Sequence, residues 1–280
     1  MTTLTAPARP LASAGLEDVR PTRRRLGPGQ PIRFGSLIGI AVLLGSWVVG
    51  SAIGLLDPRN LTEPWTVVAT AGTLIENGRL QESLVTSGIR AALGLGLGVA
   101  VGTLLALVSG LSRVGESLID GPIQVKRSIP TLALIPLLIL WLGIGEPMKV
   151  ITIALAVFVP IYIHTHNGLR TIEGRYAELA ETLGVTRPEF IRHVVLPGAM
   201  PGFLLGMRFA VTSSLLALVV VEVINATSGI GHMITLASNY GQTDIIVVGL
   251  VVYALLGVIA DGAVRLIERK ALSWRRTLAS

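Results

Sequence analysis

The chain has 280 residues, of which 51% are hydrophobic and only 14% charged, whereas a soluble globular domain carries about 25% charged residues. That balance points to a membrane protein. The net charge of +6 sits in short Lys/Arg clusters between apolar runs, with no basic stripe interleaved with aromatics, which argues against a nucleic-acid partner. The chain has no cysteine, so disulfides, thiolate metal sites and cysteine nucleophiles are excluded.

In chain order, residues 1–33 are rich in Pro, Ala, Gly and Arg without apolar periodicity and are predicted to form a disordered cytoplasmic tail. The run Phe34 to Leu56 follows. At 1.5 Å per residue it spans roughly 34 Å, enough for a hydrocarbon core of about 30 Å. It is too long for the apolar region of a signal peptide and lacks a small-residue cleavage site, so it is expected to be an uncleaved first span. Further apolar runs at 84–109, 129–145, 149–167, 204–224 and 245–266 complete an all-α, polytopic bundle of six transmembrane helices over 34–270, with 271–280 as a cytoplasmic tail. The third run carries Pro130 and Pro136 and is expected to pack inside the bundle, where neighbours satisfy freed backbone groups.

The second run places Gly94, Gly98 and Gly102 at i, i+4 and i+8 with Gly96 between, a flat groove for the close approach of another helix. A dinucleotide-binding glycine loop is excluded, because no strand precedes it and no acidic residue follows at the required distance. His164 and His166 alternate near the end of the fourth run, and His193 and His232 stand alone, so no histidine falls in metal-ligand spacing.

Orientation follows from the basic residues. With the N-terminus inside, Arg9, Arg20, Arg23, Arg24, Arg25 and Arg33 precede the first span, and Arg113, Lys126 and Arg127 lie in the next inner loop. Arg170, Arg175, Arg187, Arg192 and Arg208 fall in the third inner segment, and Arg265, Arg269, Lys270, Arg275 and Arg276 close the chain. Only Arg59, Arg79, Arg90 and Lys149 fall outside, so both termini are expected to face the cytoplasm of a multi-pass plasma-membrane protein.

The segment 170–202 is the most specific. Tyr176, Leu179, Ala180 and Leu183 form one apolar stripe on a short helix. Gly184 suits the left-handed position that ends it, and Thr186-Arg-Pro-Glu189 reads as a capping box starting a second helix with Phe190, Ile191, Val194 and Val195. That helix is expected to break at Leu196-Pro197-Gly198, followed by Pro201-Gly202. The stretch Glu178-Leu-Ala180, three residues, Gly184, nine residues, Val194-Val-Leu196-Pro197 resembles the EAA loop of bacterial ABC importer permeases. Two positions depart from that pattern, Leu179 for the usual Ala and Val194 for the usual Ile, and both remain apolar.

The resemblance implies a type I ABC importer permease fold in which this loop forms coupling helices that dock on the ATPase. Glu178, Ala180, Gly184, Leu196 and Pro197 are then the coupling positions. It further implies two copies of an ABC ATPase, a second permease copy, expected to be identical, and an extracytoplasmic solute-binding protein. ATP and magnesium would be bound by the ATPase. None of Lys126, Lys149 and Lys270 follows a glycine, so the chain itself has no Walker A loop, and neither enzymatic activity nor a cofactor is expected in it.

A second stretch, Arg127-Ser-Ile-Pro130-Thr-Leu-Ala133-Leu-Ile-Pro136 through Trp141-Leu-Gly143-Ile-Gly145-Glu146, is similar to permeases for aliphatic sulfonates, taurine and nitrate. That resemblance implies an aliphatic sulfonate as solute, with taurine, nitrate or another small organic solute as alternatives. Arg127 and Pro130 near the inner mouth, and Glu222 near the outer end of the fifth span, are the candidate path or gate residues. Glu222 reads equally as a hydrogen-bonded helix-end residue, and Asp261 is expected to pair with Arg265 at i+4. A membrane-embedded enzyme is disfavoured because no nucleophile with a base and no carboxylate pair gathers at one depth. An ion-driven carrier is disfavoured because no inverted repeat is seen.

Overall fold

The computed structural model describes residues 35–57 and 60–273. The expected N-terminal tail, Phe34, Arg59, Arg275 and Arg276 lie outside the described residues. The described residues divide into two units at Ser46 and Trp47, and every regular element among them is helical.

The first apolar run forms α1, Gly35–Ala52. It stops short of the expected Leu56 because Gly54 takes φ 72°, and the Leu55 and Leu56 amides turn back to the Gly50 carbonyl. Two short helices were not expected. α2, Pro64–Glu76, starts with proline at its first turn, where the missing N–H has no intrahelical partner to lose. α10, Ile230–Asn239, packs with α2 and with α11, Thr243–Ala271, around Val67, Leu74, Met233 and Val248. The Thr70 hydroxyl donates to Asp244 at 2.7 Å and ties α2 to the start of α11.

The centre is a three-helix slab. α6, Glu146–Arg170, lies between α3, Arg79–Leu111, and α9, Leu196–Asn225, and packs closely on both. The expected glycine groove forms the α3 side. A Cβ on Gly98 would stand 2.6 Å from Val157 Cβ, one on Gly94 2.5 Å from Ile153 Cβ, and one on Gly102 2.6 Å from the Phe158 carbonyl, whereas Gly96 faces open space. On the other side of α6, a Cβ on Gly202 would stand 2.6 Å from the His164 carbonyl and 2.9 Å from the Gly168 Cα. Small residues thus let α6 approach both neighbours closely, the packing that holds membrane helices together without a hydrophobic driving force. Ile153, Val157 and Ile161 of α6 are completely buried between them.

Four helices, α3, α6, α11 and the continuous rod Arg187–Asn225 that contains α9, are long and apolar enough to cross a membrane. The third expected span is not a straight helix. Its apolar run is only the second arm of a broken pair: α4, Arg113–Ser128, and then a 3₁₀ turn, Thr131–Leu134, leading into α5, Ile135–Leu142, with a 91° bend between the arms. The bend falls at Ile129, which precedes Pro130 and is extended at φ −94°, ψ 118°, as the clash with a following proline ring demands. Gly143, at φ 72°, ends α5. Nor is this arm wholly interior: Ile135 and Leu138 are buried, while Leu140 and Trp141 are exposed.

The reading of 113–127 as a plain inner loop is corrected as well. Lys126 lies on α4 and donates to the Leu155 carbonyl, well inside α6, at 2.7 Å. Its Nζ also reaches Thr131 Oγ1 at 2.7 Å and stands 5.3 Å over the Phe158 ring, so the lysine pins the bend against α6.

Candidate functional site

The segment between α6 and α9 is built largely by its caps. α7, Gly174–Thr182, ends in a Schellman motif: Gly184 N–H donates to the Glu181 carbonyl, Val185 N–H donates to the Ala180 carbonyl at 2.9 Å, and Gly184 takes φ 69°. The Thr186 amide and hydroxyl then both donate to Glu189 Oε2, at 3.0 and 2.7 Å, which starts α8, Arg187–Phe190. Between the two helices Tyr176, Leu179, Ala180, Leu183, Phe190, His193 and Val194 line an apolar groove of about 470 Å³. Tyr176, Leu179 and Leu183 are exposed at 45, 56 and 70%, an open apolar surface of the kind that marks an interaction site.

The expected break at Leu196-Pro197-Gly198 does not occur. A π turn, Ile191–Val195, carries the helix into α9, and the Leu196 amide donates to the Ile191 carbonyl five residues back. Widening the turn by one residue just ahead of Pro197 lets the helix absorb a proline without ending. The second arm of the coupling elbow and the span are therefore one rod, Arg187–Asn225. Two contacts tether this end to its neighbours: Arg187 donates to the Leu111 carbonyl at the end of α3 at 3.0 Å, and Arg170 pairs with Glu116 of α4.

Glu178 is exposed on α7, Ala180 is half-buried, and Leu196 and Pro197 stand at the start of α9. Arg127, in the last turn of α4, and Pro130, at the bend, are exposed and adjacent, and Arg127 makes no ion pair among the described residues. Glu222 is not with them. It sits at the far end of α9, fully buried at 0% exposure, and accepts from Ser87 Oγ at 2.8 Å, Arg90 Nη1 at 2.7 Å, the Gly231 amide at 2.9 Å and Tyr253 OH at 2.9 Å. Glu222 is thus hydrogen-bonded at the end of its helix, away from Arg127 and Pro130.

Sequence reasoning missed its partners. Arg90, 2% exposed, forks onto Glu146 through Nε and Nη2 at 2.6 Å each and donates to the Ser228 carbonyl at 2.7 Å and the Ser228 hydroxyl at 3.0 Å. Lys149 donates to Glu146 at 2.8 Å. Two cations thus meet two carboxylates in a neutral cluster joining α3, α6, α9, α10 and α11. The signal available was Arg90 within an apolar run, a placement too costly in lipid unless a partner is near. The turn between α9 and α10 closes on the cluster: Gly229 takes φ 104°, and a Cβ there would stand 2.7 Å from Arg90 Nη1.

Asp261 pairs with Arg265 at 2.7 Å, as expected, and also stands 3.6 Å from Arg208. His164 stacks on Phe209 and His166 on Tyr162.

The sequence pattern of the family described as binding-protein-dependent transport system inner membrane component matches residues 98–273. The chain belongs to that family. This permease is 37% identical over 269 residues to a protein of Bacillus subtilis named for aliphatic sulfonates transport, covering 95% of this chain and 97% of that one. It is 43% identical over 232 residues to the Escherichia coli protein of the same name, covering 83% and 88%, and 30% identical over 240 residues to the Escherichia coli taurine transport permease, covering 84% and 87%. A chain from the crystal structure of an amino acid ABC transporter shares the fold at TM-score 0.59 and 18% identity, over 71% of this chain and 97% of that one. The protein is thus a multi-pass inner-membrane permease subunit of an ABC importer, of a family whose members are non-catalytic.

Proposed function

We propose that this permease carries aliphatic sulfonates into the cell, driven by a separate ATPase that docks on the groove between α7 and α8. The observation that carries the solute is the near full-length similarity to two permeases named for aliphatic sulfonates. Taurine is the second reading, supported by the relative named for taurine, and its head group is the same sulfonate anion.

In this reading Glu178, Ala180, Gly184, Leu196 and Pro197 pass movement of the ATPases to α9, a role supported by the continuity of α8 with the span in one rod. Two ATPase copies hold the ATP and magnesium, a second copy of this chain completes the path, and a solute-binding protein delivers from outside. Both termini lie inside. Arg127 and Pro130 line the path at the bend: an unpaired guanidinium among membrane helices is tolerated only toward water or an anion, and a sulfonate is an anion at every physiological pH.

The test is sulfonate-dependent ATPase activity and uptake in proteoliposomes holding this chain, its ATPase and the binding protein. Glu178→Ala and Gly184→Pro are expected to abolish stimulation by the loaded binding protein while the complex still assembles. Uptake of an alkanesulfonate in competition with taurine ranks the two solutes. If neither anion stimulates hydrolysis or enters the vesicles, the solute assignment fails.

A further inference from the structure

Glu222 and the coupling elbow sit at opposite ends of α9, about 26 residues or ~39 Å apart at 1.5 Å per residue. Around Glu222 the hydrogen bonding is complete. A guanidinium has five N–H donors, and those of Arg90 are all engaged, by Glu146 twice, Glu222, the Ser228 carbonyl and the Ser228 hydroxyl. The Glu222 carboxylate in turn is held from α3, α10 and α11.

We propose that Arg90 is a positioning residue that locks the ends of α3, α6, α9 and α10 into one rigid block, the receiving end of the coupling stroke. The inference rests on the coupling role assigned above to the α7–α9 elbow. Arg90 and Glu222 are closed to water, and separating these helices would strand unpaired charges in a dry site, which is far more costly than tilting the block intact. Movement entering at Leu196 therefore travels along α9 and turns the block as a unit. Glu146 is the one charged member of the cluster that meets solvent, with 56% of its side chain exposed, and through it Arg90 holds α6 in the block.

The experiment measures solute uptake and ATP hydrolysis on the same assembled transporter in vesicles. Arg90→Gln is expected to lower uptake per ATP hydrolysed by about tenfold, the size of an ordinary inter-site coupling. Arg90→Lys is expected to behave alike, because an ammonium cannot engage Glu146, Glu222 and Ser228 together, and Glu146→Gln, which keeps one acceptor for Arg90 on the solvent-facing side, is expected to lower the ratio in the same direction by less, about threefold. A purely structural role would reduce complex yield, uptake and hydrolysis together with an unchanged ratio, and that result overturns the proposal.

A second measurement leaves the cluster intact. Thr235 of α10 donates to the Val223 carbonyl of α9 at 3.3 Å, and the chain has no native cysteine, so Val223→Cys with Thr235→Cys tests whether these helices part. The oxidised pair is expected to cross-link and to keep uptake within about twofold of the reduced pair, since a rigid block loses nothing when stapled. Uptake lost on oxidation of the cross-linked pair and restored on reduction means that the block opens during the cycle and overturns the proposal. Glu178→Ala run in parallel separates the two ideas: if it leaves uptake intact the coupling role fails, whereas if it uncouples and Arg90→Gln does not, only the rigid block fails.

Discussion

Glu222 and Glu146 share the same arginine and differ in almost everything else. Glu222 is enclosed at 0% exposure with four different donors around it, while 56% of the Glu146 side chain meets solvent. Removing one partner of a buried ion pair strands the other, at about 3–5 kcal/mol, so Glu222→Gln is expected to lower the thermal unfolding midpoint of the purified permease markedly. Glu146→Gln keeps an oxygen acceptor for Arg90 and Lys149 on the side of the cluster that meets solvent, and is expected to shift the midpoint less than Glu222→Gln does. Equal shifts for the two would refute the assignment of Glu222 as the anchor. Gly184 is set by backbone rather than charge: at φ 69° a Cβ costs about 1–2 kcal/mol. Gly184→Ala is therefore expected to weaken ATPase stimulation while leaving expression unchanged, read by hydrolysis with and without the loaded binding protein. The need for a glycine there could be read from Ala180 to Val185 alone, because a Schellman cap is local. The partners of Glu222 could not, since Ser87 and Arg90 lie in another helix more than a hundred residues away in sequence.

Among the helices, the glycine face of α3 illustrates how period and partner divide the work. The spacing of Gly94, Gly98 and Gly102 selects a face, but only α6 decides how tightly it is filled. Gly98→Val is expected to force α3 and α6 apart, because even its Cβ would overlap Val157 and the Ala154 carbonyl; overpacking of this kind costs about 1–3 kcal/mol or more. Gly96→Ala, on the open side of the same helix, is expected to be tolerated. Thermal stability in detergent compares them, and a neutral Gly98→Val would deny the close packing. The matching face between α6 and α9 escaped notice although Gly198, Gly202 and Gly206 repeat at i, i+4 and i+8, because Gly198 and Gly202 fall in the segment 170–202 and Gly206 in the apolar run that follows it. Proline is read correctly or wrongly by what the chain does next. At Pro130 the preceding residue is extended and the helix bends by 91°, whereas at Pro197 a π turn one residue wider takes up the missing donor and the helix continues.

For the assembled permease, the two ends of the bundle differ in kind: a groove of exposed apolar side chains between α7 and α8 at one, a closed ionic cluster at the other. The proposed orientation makes the first cytoplasmic. Single cysteines at exposed Leu183 and Tyr240, introduced into this cysteine-free chain, test it with a membrane-impermeant thiol reagent on intact cells. Tyr240→Cys is expected to label at once and Leu183→Cys only after permeabilisation; the reverse order would invert the topology. Hydropathy windows marked α3, α6, α9 and α11, because twenty or so apolar residues in a row leave a chain no other way to satisfy its backbone in lipid. The spacing from Glu178 to Pro197 marked the elbow for a similar reason, since caps and stripes act over one or two turns. Which helix faces meet was decided only in three dimensions. Arg90 found Glu146 and Glu222, and Lys126 found the Leu155 carbonyl, because each of these contacts depends on the register between separate segments of the chain, and no local pattern carries that register.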